Sequence, residues 1–415
     1  MRLPTVSQFK SQMSTLSRQF EDIGRLQEQT TTGKKLRRSS ENPMLADKIK
    51  SVTNAMQTTK SYDLNNTVAT SRLSLTSSTT QQSINLLDQI KDLILSAQSD
   101  TLSNENRASI AQELKGYADT LLGMANTQDN NGEYIFSGMS SHIPPWVKEA
   151  GLYRYMGESE ITRIDLESHT SVPFNDSGFR VFGDIKSGNG YFSVSADTAN
   201  NTGSGILSSV KQVNTAAMVH DDYTVTFVTN AAGELAYQLV GASSGQLIPA
   251  LPATSPADAP AYEAGHDIIF NGISMQINGA PDVGDEFYID QSKTQNVFDA
   301  LDAVIDILSK PVNTPKDRAD LHQILGENSS SLNQAFNHLL QYSTEVGNRG
   351  KTVDEMKIMA EMRTLEQEKM MDRFSNAPME EVVSDLTQRM TALELTQQSY
   401  LKIQETLHKL FMNFR

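Results

Sequence analysis

The first apolar positions of the chain, Val6, Phe9, Met13, Leu16, Phe20 and Ile23, advance in alternating steps of three and four. That spacing keeps one stripe of a helix turned toward a supercoiling partner. The last apolar positions, Val383, Leu386, Met390, Leu393, Tyr400, Leu407, Phe411 and Phe414, keep the same rhythm, so a long amphipathic helix is predicted at each end. Neither seam is purely apolar: Gln27 and Thr30 take the next positions of the first, and Gln397 and Gln404 interrupt the second. Polar groups on a seam lower stability and select register or partner. Helices of this kind are ordered by what they pack against, and fraying is expected in an isolated subunit.

Inside these ends the helical period continues through Ile84, Leu87, Ile90 and Ile94, then Ile110, Leu114, Tyr117 and Leu121. It returns late in the chain through Val297, Leu301, Val304 and Leu308, and through Leu325, Leu332, Leu339 and Val346. Pro311 and Pro315 are expected to close one helix and Val346-Gly347 to end another. Between about Ser141 and Lys293 the period falls to two, in "ITRIDLE", "YFSVSA", "YTVTFVT", "LAYQLV", "DIIFNGISMQI" and "EFYID", separated by turn-rich runs such as "NAAGE" and "NNTGSG". This is the pattern of an antiparallel β domain. The fold class expected is α+β and multidomain: a helical coiled-coil and rod formed by both chain ends, with the β domain inserted. The boundaries predicted are 1–40 with 380–415 for a terminal assembly domain, 41–140 with 294–379 for the rod, and 141–293 for the β domain.

The stretch "GKKLRRSSENP", Gly33 to Pro43, carries four basic residues between two helical patterns. Gly33 can end the first helix, and Asn42-Pro43 disfavours αR at Asn42 while suiting the start of the next. A solvated positive linker after a helix C-terminus is the simple reading. Nucleic-acid binding is disfavoured by a formal net charge of −15 and by the lack of interleaved aromatic residues. The charge is unevenly spread: residues 141–299 hold 19 acidic against 7 basic groups, whereas residues 1–40 hold 8 basic and 3 acidic.

Candidate chemistry is sparse. There is no cysteine, so disulfides, thiolate metal sites and cysteine nucleophiles are excluded. The seven histidines, His142, His169, His220, His266, His322, His338 and His408, form no pair at metal-binding spacing. "GNGYFS" and "GSGILS" lack the third glycine of a dinucleotide loop. "GASSG" matches G-x-S-x-G with Ser243 at the nucleophile position, but "QLIPALPATSPADAPA" follows it and cannot start the helix that a nucleophile elbow needs. Trp146, after Pro144-Pro145, is expected to be a buried wedge between domains, with an exposed recognition role as the alternative. No catalytic, cofactor or metal site is expected. The opening "MRLPTVSQFKSQMSTLSRQF" has no apolar core of a cleaved signal and no window is apolar enough to span a membrane.

The phrases "GKKLRRSSENP", "NTQDNNGEYIFSG" and "EVGNRGKTVDEM", with helical ends enclosing a β domain and no cysteine, resemble the flagellin superfamily of bacterial flagellar axial proteins. "MRLPTVSQF", "YMGESEITRIDLESHTSVPFNDSGFRVFGD" and "GAPDVGDEFYIDQSKTQNVFDAL" are similar to its hook-filament junction branch. Two departures stand out. The ending "HKLFMNFR" is neither a flagellin's nor a junction protein's usual close. Gln89 and Lys91 stand where flagellins commonly carry arginines at the site for a host innate receptor, so that recognition does not carry over.

The resemblance implies a non-enzymatic structural adaptor, exported without a cleaved signal to the extracellular flagellum. There it would form a ring at the distal end of the hook, between a neighbouring hook-associated protein and flagellin. The axial assembly residues would be Val6, Phe9, Met13, Leu16, Phe20, Ile23, Leu386, Met390, Leu393 and Phe414. Tyr400, Leu407, Leu410 and Phe411 would meet a cytoplasmic export chaperone, and Gly33, Asn42 and Pro43 would be the hinge. Neither nucleic acid nor membrane is an expected partner. The alternatives are a minor flagellin that forms filament itself, a secreted esterase using Ser243, and an adhesin whose terminal coiled coil is complete in the free subunit.

Overall fold

The computed structural model describes residues 3–253 and 256–412. Six α-helices are found among them: α1 (Leu3–Thr32), α2 (Pro43–Ala97) and α3 (Asn104–Ala125) before the β region, and α4 (Val297–Ser309), α5 (Pro315–Ser375) and α6 (Met379–Met412) after it. The chain divides into two compact units, Met1–Asn65 with Glu355–Arg415, and Asn66–Asp354; the divisions fall inside α2 and α5.

In the second unit the helical seams are buried where the periodicity puts them. Leu87, Ile90 and Ile94 of α2, Leu301 and Val304 of α4, and Leu325 and Leu332 of α5 have no exposed surface. On α3 the buried line runs through Arg107, Ala111, Leu114, Ala118, Leu121 and Ala125. Ile110 and Tyr117 are half-buried beside it, because small alanines allow the close approach of α4. α4 stops at Ser309, before Pro311, but Pro315 opens α5 rather than closing anything. Thr314 Oγ1 caps that start by accepting from Asp317 N at 3.1 Å, and Asp317 Oδ2 accepts from Asn313 N and Thr314 N.

The expected break at Val346-Gly347 does not occur. α5 runs through it to Ser375, because Val346 and Val353 are buried and Arg349 is anchored. Tertiary packing outweighs a glycine cost of about 1 kcal/mol.

Fourteen strands are found among the described residues of the β region. β1 (Trp146–Glu149) and β2 (Leu152–Tyr155) form a hairpin, as do β3 (Arg163–Glu167) and β4 (Thr170–Pro173); β5 (Ile185–Lys186) pairs with β14 (Thr294–Gln295). Between the last two lie β6 (Phe192–Ala196), β7 (Ile206–Gln212), β8 (Tyr223–Thr229), β9 (Leu235–Gly241), β10 (Gly245–Ile248), β11 (Asp267–Phe270), β12 (Ile273–Asn278) and β13 (Glu286–Gln291). They make a five-stranded antiparallel sheet in the order β10-β9-β8-β13-β6 and a three-stranded sheet β11-β12-β7. Their inner faces meet in one core of Phe192, Val225, Phe227, Leu239, Met275 and Phe287, among others. "DIIFNGISMQI" is two strands, turned at Asn271 and Gly272, where φ is 40° and 76°.

Four segments far apart in sequence meet at one polar node. Arg72 Nη1 pairs with Asp129 Oδ2, and its Nη2 donates to Asn175 Oδ1 at 2.6 Å. The neighbouring Asp176 accepts from Tyr342 Oη at 2.7 Å, and Arg349 Nη1 donates to both of its carboxylate oxygens. Trp146 is buried against Phe298, with ring centroids 5.2 Å apart, and the Asn126 side chain bonds both its backbone N–H and its C=O. Lys91 lies over the Phe336 ring, 4.2 Å from its centroid.

Candidate assembly surface

α1 ends in a left-handed residue: Gly33 has φ +68° and donates its N–H to Gln29 O. The chain beyond it pairs with the break between α5 and α6. Lys35 N donates to Ser375 O and Ala377 N to Gly33 O, each at 2.8 Å, with a backbone bridge between Lys34 and Asn376. Gln29 Nε2 donates to Lys35 O at 2.7 Å, and Lys35 Nζ reaches Arg373 O. Arg37 bonds Glu28 and Glu41, each at 3.1 Å; the backbone N–H of Arg37 on Glu41 holds that carboxyl below its ordinary value. Asn42 Oδ1 then accepts from Leu45 N, and Pro43 takes the first position of α2. The basic stretch is therefore tied to the chain's return segment, where a freely solvated linker was expected.

α1 and α6 lie antiparallel. Leu26 packs with Ala377, Val382 and Leu386; Asp22 pairs with Arg389; Phe9 and Tyr400 have ring centroids 6.3 Å apart. This register sets Leu16 level with Leu393 and Ile23 level with Leu386. Ile23 is buried, while Leu16, Leu386, Leu393 and Tyr400 are half-buried. The seam continues past the expected Gln27 and Thr30 through Leu26, and its first α6 member is Val382, since Val383 is exposed.

Among the described side chains only alternate members of the seam are covered by this pairing. Met13 is 49% exposed, Phe20 56% and Met390 45%, and Gln397 and Gln404 face outward with them. Phe9 touches Tyr400 yet keeps half its surface free. One helix partner thus covers one of the two lines of a heptad seam and leaves the other bare. The same unit carries a second exposed apolar line on α5, through Ile358, Met362 and Leu365. The side chains of Val6, Leu407, Leu410 and Phe411 lie outside the described ones, and Phe414 lies outside the described residues.

Elsewhere, Ser243 sits in the turn from β9 to β10, and a strand follows it where a nucleophile elbow has a helix. The N–H groups of Ser243 and Ser244 donate to Asp221, so they are not free to hold an oxyanion. No group of three or more potential metal ligands occurs among the described residues. None of their helices is long and apolar enough to cross a membrane.

Sequence reading missed the partner of the connector, because Ser375 to Ala377 lie far away in the chain; Pro378 was the available signal. It also missed the α5 line, whose residues lie beyond the helix end expected at Val346-Gly347.

Residues 6–141 match the family model described as the bacterial flagellin N-terminal helical region. Flagellar hook-associated protein 3 of Escherichia coli (strain K12) is 30% identical over 187 residues, which are 45% of this chain and 58% of that protein. The match thus spans little more than half the length of this curated relative. The solved flagellar hook-associated protein-3 of Legionella pneumophila is 31% identical with a TM-score of 0.73, over 78% of this chain and 97% of that one. A solved flagellar junction protein FlgL, also from Legionella pneumophila, is 32% identical with a TM-score of 0.69, over 74% and 99%.

Proposed function

Because the chain belongs to the hook-associated protein 3 family of the flagellin superfamily, we propose that it is a structural adaptor joining the distal end of the bacterial hook to the flagellin filament. The observation that carries this reading is the half-covered seam of α1 and α6, with Met13, Phe20 and Met390 exposed. An apolar line at this spacing has the form that a further helix would cover. Copies of this chain, set side by side in a ring, supply such helices. A neighbouring hook-associated protein below and flagellin above are the other expected partners, in an extracellular flagellum reached without a cleaved signal.

In this reading residues 1–40 with 380–415 are the terminal coiled-coil assembly domain, 41–140 with 294–379 the helical rod domain, and 141–293 the inserted β domain. Gly33, Asn42 and Pro43 are the bends of the connector. In the cytoplasm an export chaperone would take the end of α6, with Tyr400, Leu407, Leu410 and Phe411 as contacts. Tyr400 already meets Phe9, so the chaperone must displace α1 there and would compete with assembly.

The test is to add the purified chain to hooks that lack it and then supply flagellin. Filament growth only from hooks that carry the protein is expected. Long filaments grown from the protein alone would make it a minor flagellin, and failure to bind hooks would end the adaptor reading.

A further inference from the structure

One side of α5 meets the β region through a row of polar side chains. Lys316 Nζ donates to Thr198 O at 2.8 Å, Gln323 Oε1 accepts from Leu207 N at 2.8 Å, Glu327 Oε1 accepts from Ser193 Oγ at 3.2 Å, and Ser331 Oγ accepts from Gly188 N at 2.9 Å. Gln323, Glu327 and Ser331 follow at helical spacing, so the row is one edge of the helix. β6 and β7 are thus held against α5 at this edge by single hydrogen bonds, each of modest net strength.

Glu327 is the odd member. It lines two cavities, one of about 770 Å³ bounded by β6, β7 and the start of α5, and one of about 390 Å³ shared with α4. The groups around it are mixed. Asp290, on β13, is the register partner of Ser193. Lys211 of β7, Asp100 before α3, and Arg318 and His322 of α5 line the larger cavity; Asp299 and Asp306 of α4 and Lys310 just after it line the smaller. His322 and Arg318 are engaged with Asp100. No ion pair joins Glu327 to a cation among the described residues, and its hydrogen bond is to a neutral hydroxyl.

We propose that Glu327 is a proton-operated latch: with its carboxyl neutral, α5 holds β6 and β7 docked, and ionisation loosens that docking. A carboxylate in this position is half-buried, is unpaired, and faces Asp290, whereas the neutral acid keeps the Ser193 bond without the charge. The burial outweighs the Ser193 hydroxyl and, with Asp290, pushes Glu327 from the ordinary 4.5 up to about 7. The docked state therefore holds more protons than the undocked one between those two values. Its stabilisation is complete below about 4.5, is lost as pH rises to about 7, and changes no further above that.

The amide protons of Leu207 and Gly188 report the latch directly, because their acceptors are side chains of α5. Hydrogen exchange on the full chain, corrected for the intrinsic pH dependence of exchange, should show their protection falling about tenfold or more between pH 5 and 7.5, as tenfold per shifted unit requires. E327Q should keep its protection constant across that range. Ser193→Ala removes the one bond that favours the carboxylate, so the fall should move to higher pH. Val225 and Leu239, inside the sheet, should change in none of these proteins. A flat profile in the wild type, an unchanged fall in E327Q, or an unmoved midpoint in S193A would each overturn the latch.

Discussion

Arg349 Nη1 lies 2.9 and 2.7 Å from the two carboxylate oxygens of Asp176, with both side chains buried. The pair joins α5 to the loop before the π turn at Phe179–Gly183, and Tyr342 completes the carboxylate's hydrogen bonds. Removing one partner leaves a buried charge unpaired, which costs about 3–5 kcal/mol. Arg349→Ala should lower the unfolding free energy of the unit by that amount, read from urea titration by circular dichroism. A loss under about 1 kcal/mol would show that the pair contributes little.

Met13 and Met390 test the assembly surface apart from stability. Both are exposed in the single subunit, so Met13→Gln and Met390→Gln should change its unfolding by no more than about 0.5 kcal/mol while preventing incorporation at the hook. Leu26→Ala should do the reverse kind of damage: Leu26 is buried with Val382, and its loss should cost about 2 kcal/mol or more. Normal incorporation of both methionine variants, scored by electron microscopy, would count against the half-covered seam as the contact.

If α6 serves both chaperone and assembly as proposed, deleting residues 380–415 should abolish both. Calorimetric titration of the truncated chain with the chaperone checks this, and unchanged affinity would separate the two sites. Limited proteolysis of the intact chain should remove roughly the first 40 and last 35 residues first, because α1 and α6 carry few buried side chains. Resistant ends would favour a coiled coil finished before assembly.

Asp221 accepts the amides of Ser243, Ser244 and Asp222, and hydrogen bonding, with Ser244 foremost, holds its carboxyl down to about 2. The contact stabilises the β9–β10 turn above the ordinary 3.8 and is lost as pH falls through about 2. Exchange of the Ser243 and Ser244 amides should therefore stay protected at pH 5 and lose protection near pH 2, after correction for intrinsic rates. With those amides occupied, a serine-reactive phosphonate should leave Ser243 unlabelled at neutral pH; labelling detected by mass spectrometry would revive the esterase alternative.

Most strand runs were legible because alternation survives wherever one face is buried: "YTVTFVT" is β8 residue for residue. The hairpin of β1 and β2 was not, since its turn at Ala150 and Gly151 sits in a short, weakly patterned run. The α3 seam was read through Ile110, Leu114, Tyr117 and Leu121; the two leucines are fully buried, but alanines and Arg107 take the other buried places, which hydrophobic period alone does not rank. Glycine misled at Gly347, where a helix end was expected and long-range anchoring of Arg349 prevails. The terminal seams keep the rhythm read for them from Phe9 to Ile23 and from Leu386 to Tyr400, while Leu26 and Val382 take the places expected of Gln27 and Val383. Which half of each seam stays bare depends on how α1 and α6 align, and that pairing is written in no local stretch.

That alignment has a consequence for timing. Asp22 and Arg389, paired across the two helices, are 367 residues apart in sequence, so nearly the whole chain must be synthesised before α1 has its mate. A prematurely terminated copy that stops anywhere in the β region carries α1 without α6 and cannot present the two-helix surface. Closing so long a loop also makes this contact one of the slowest to form. If the proposed assembly surface holds, a copy lacking its far end would be excluded from the polymer without a separate inspector.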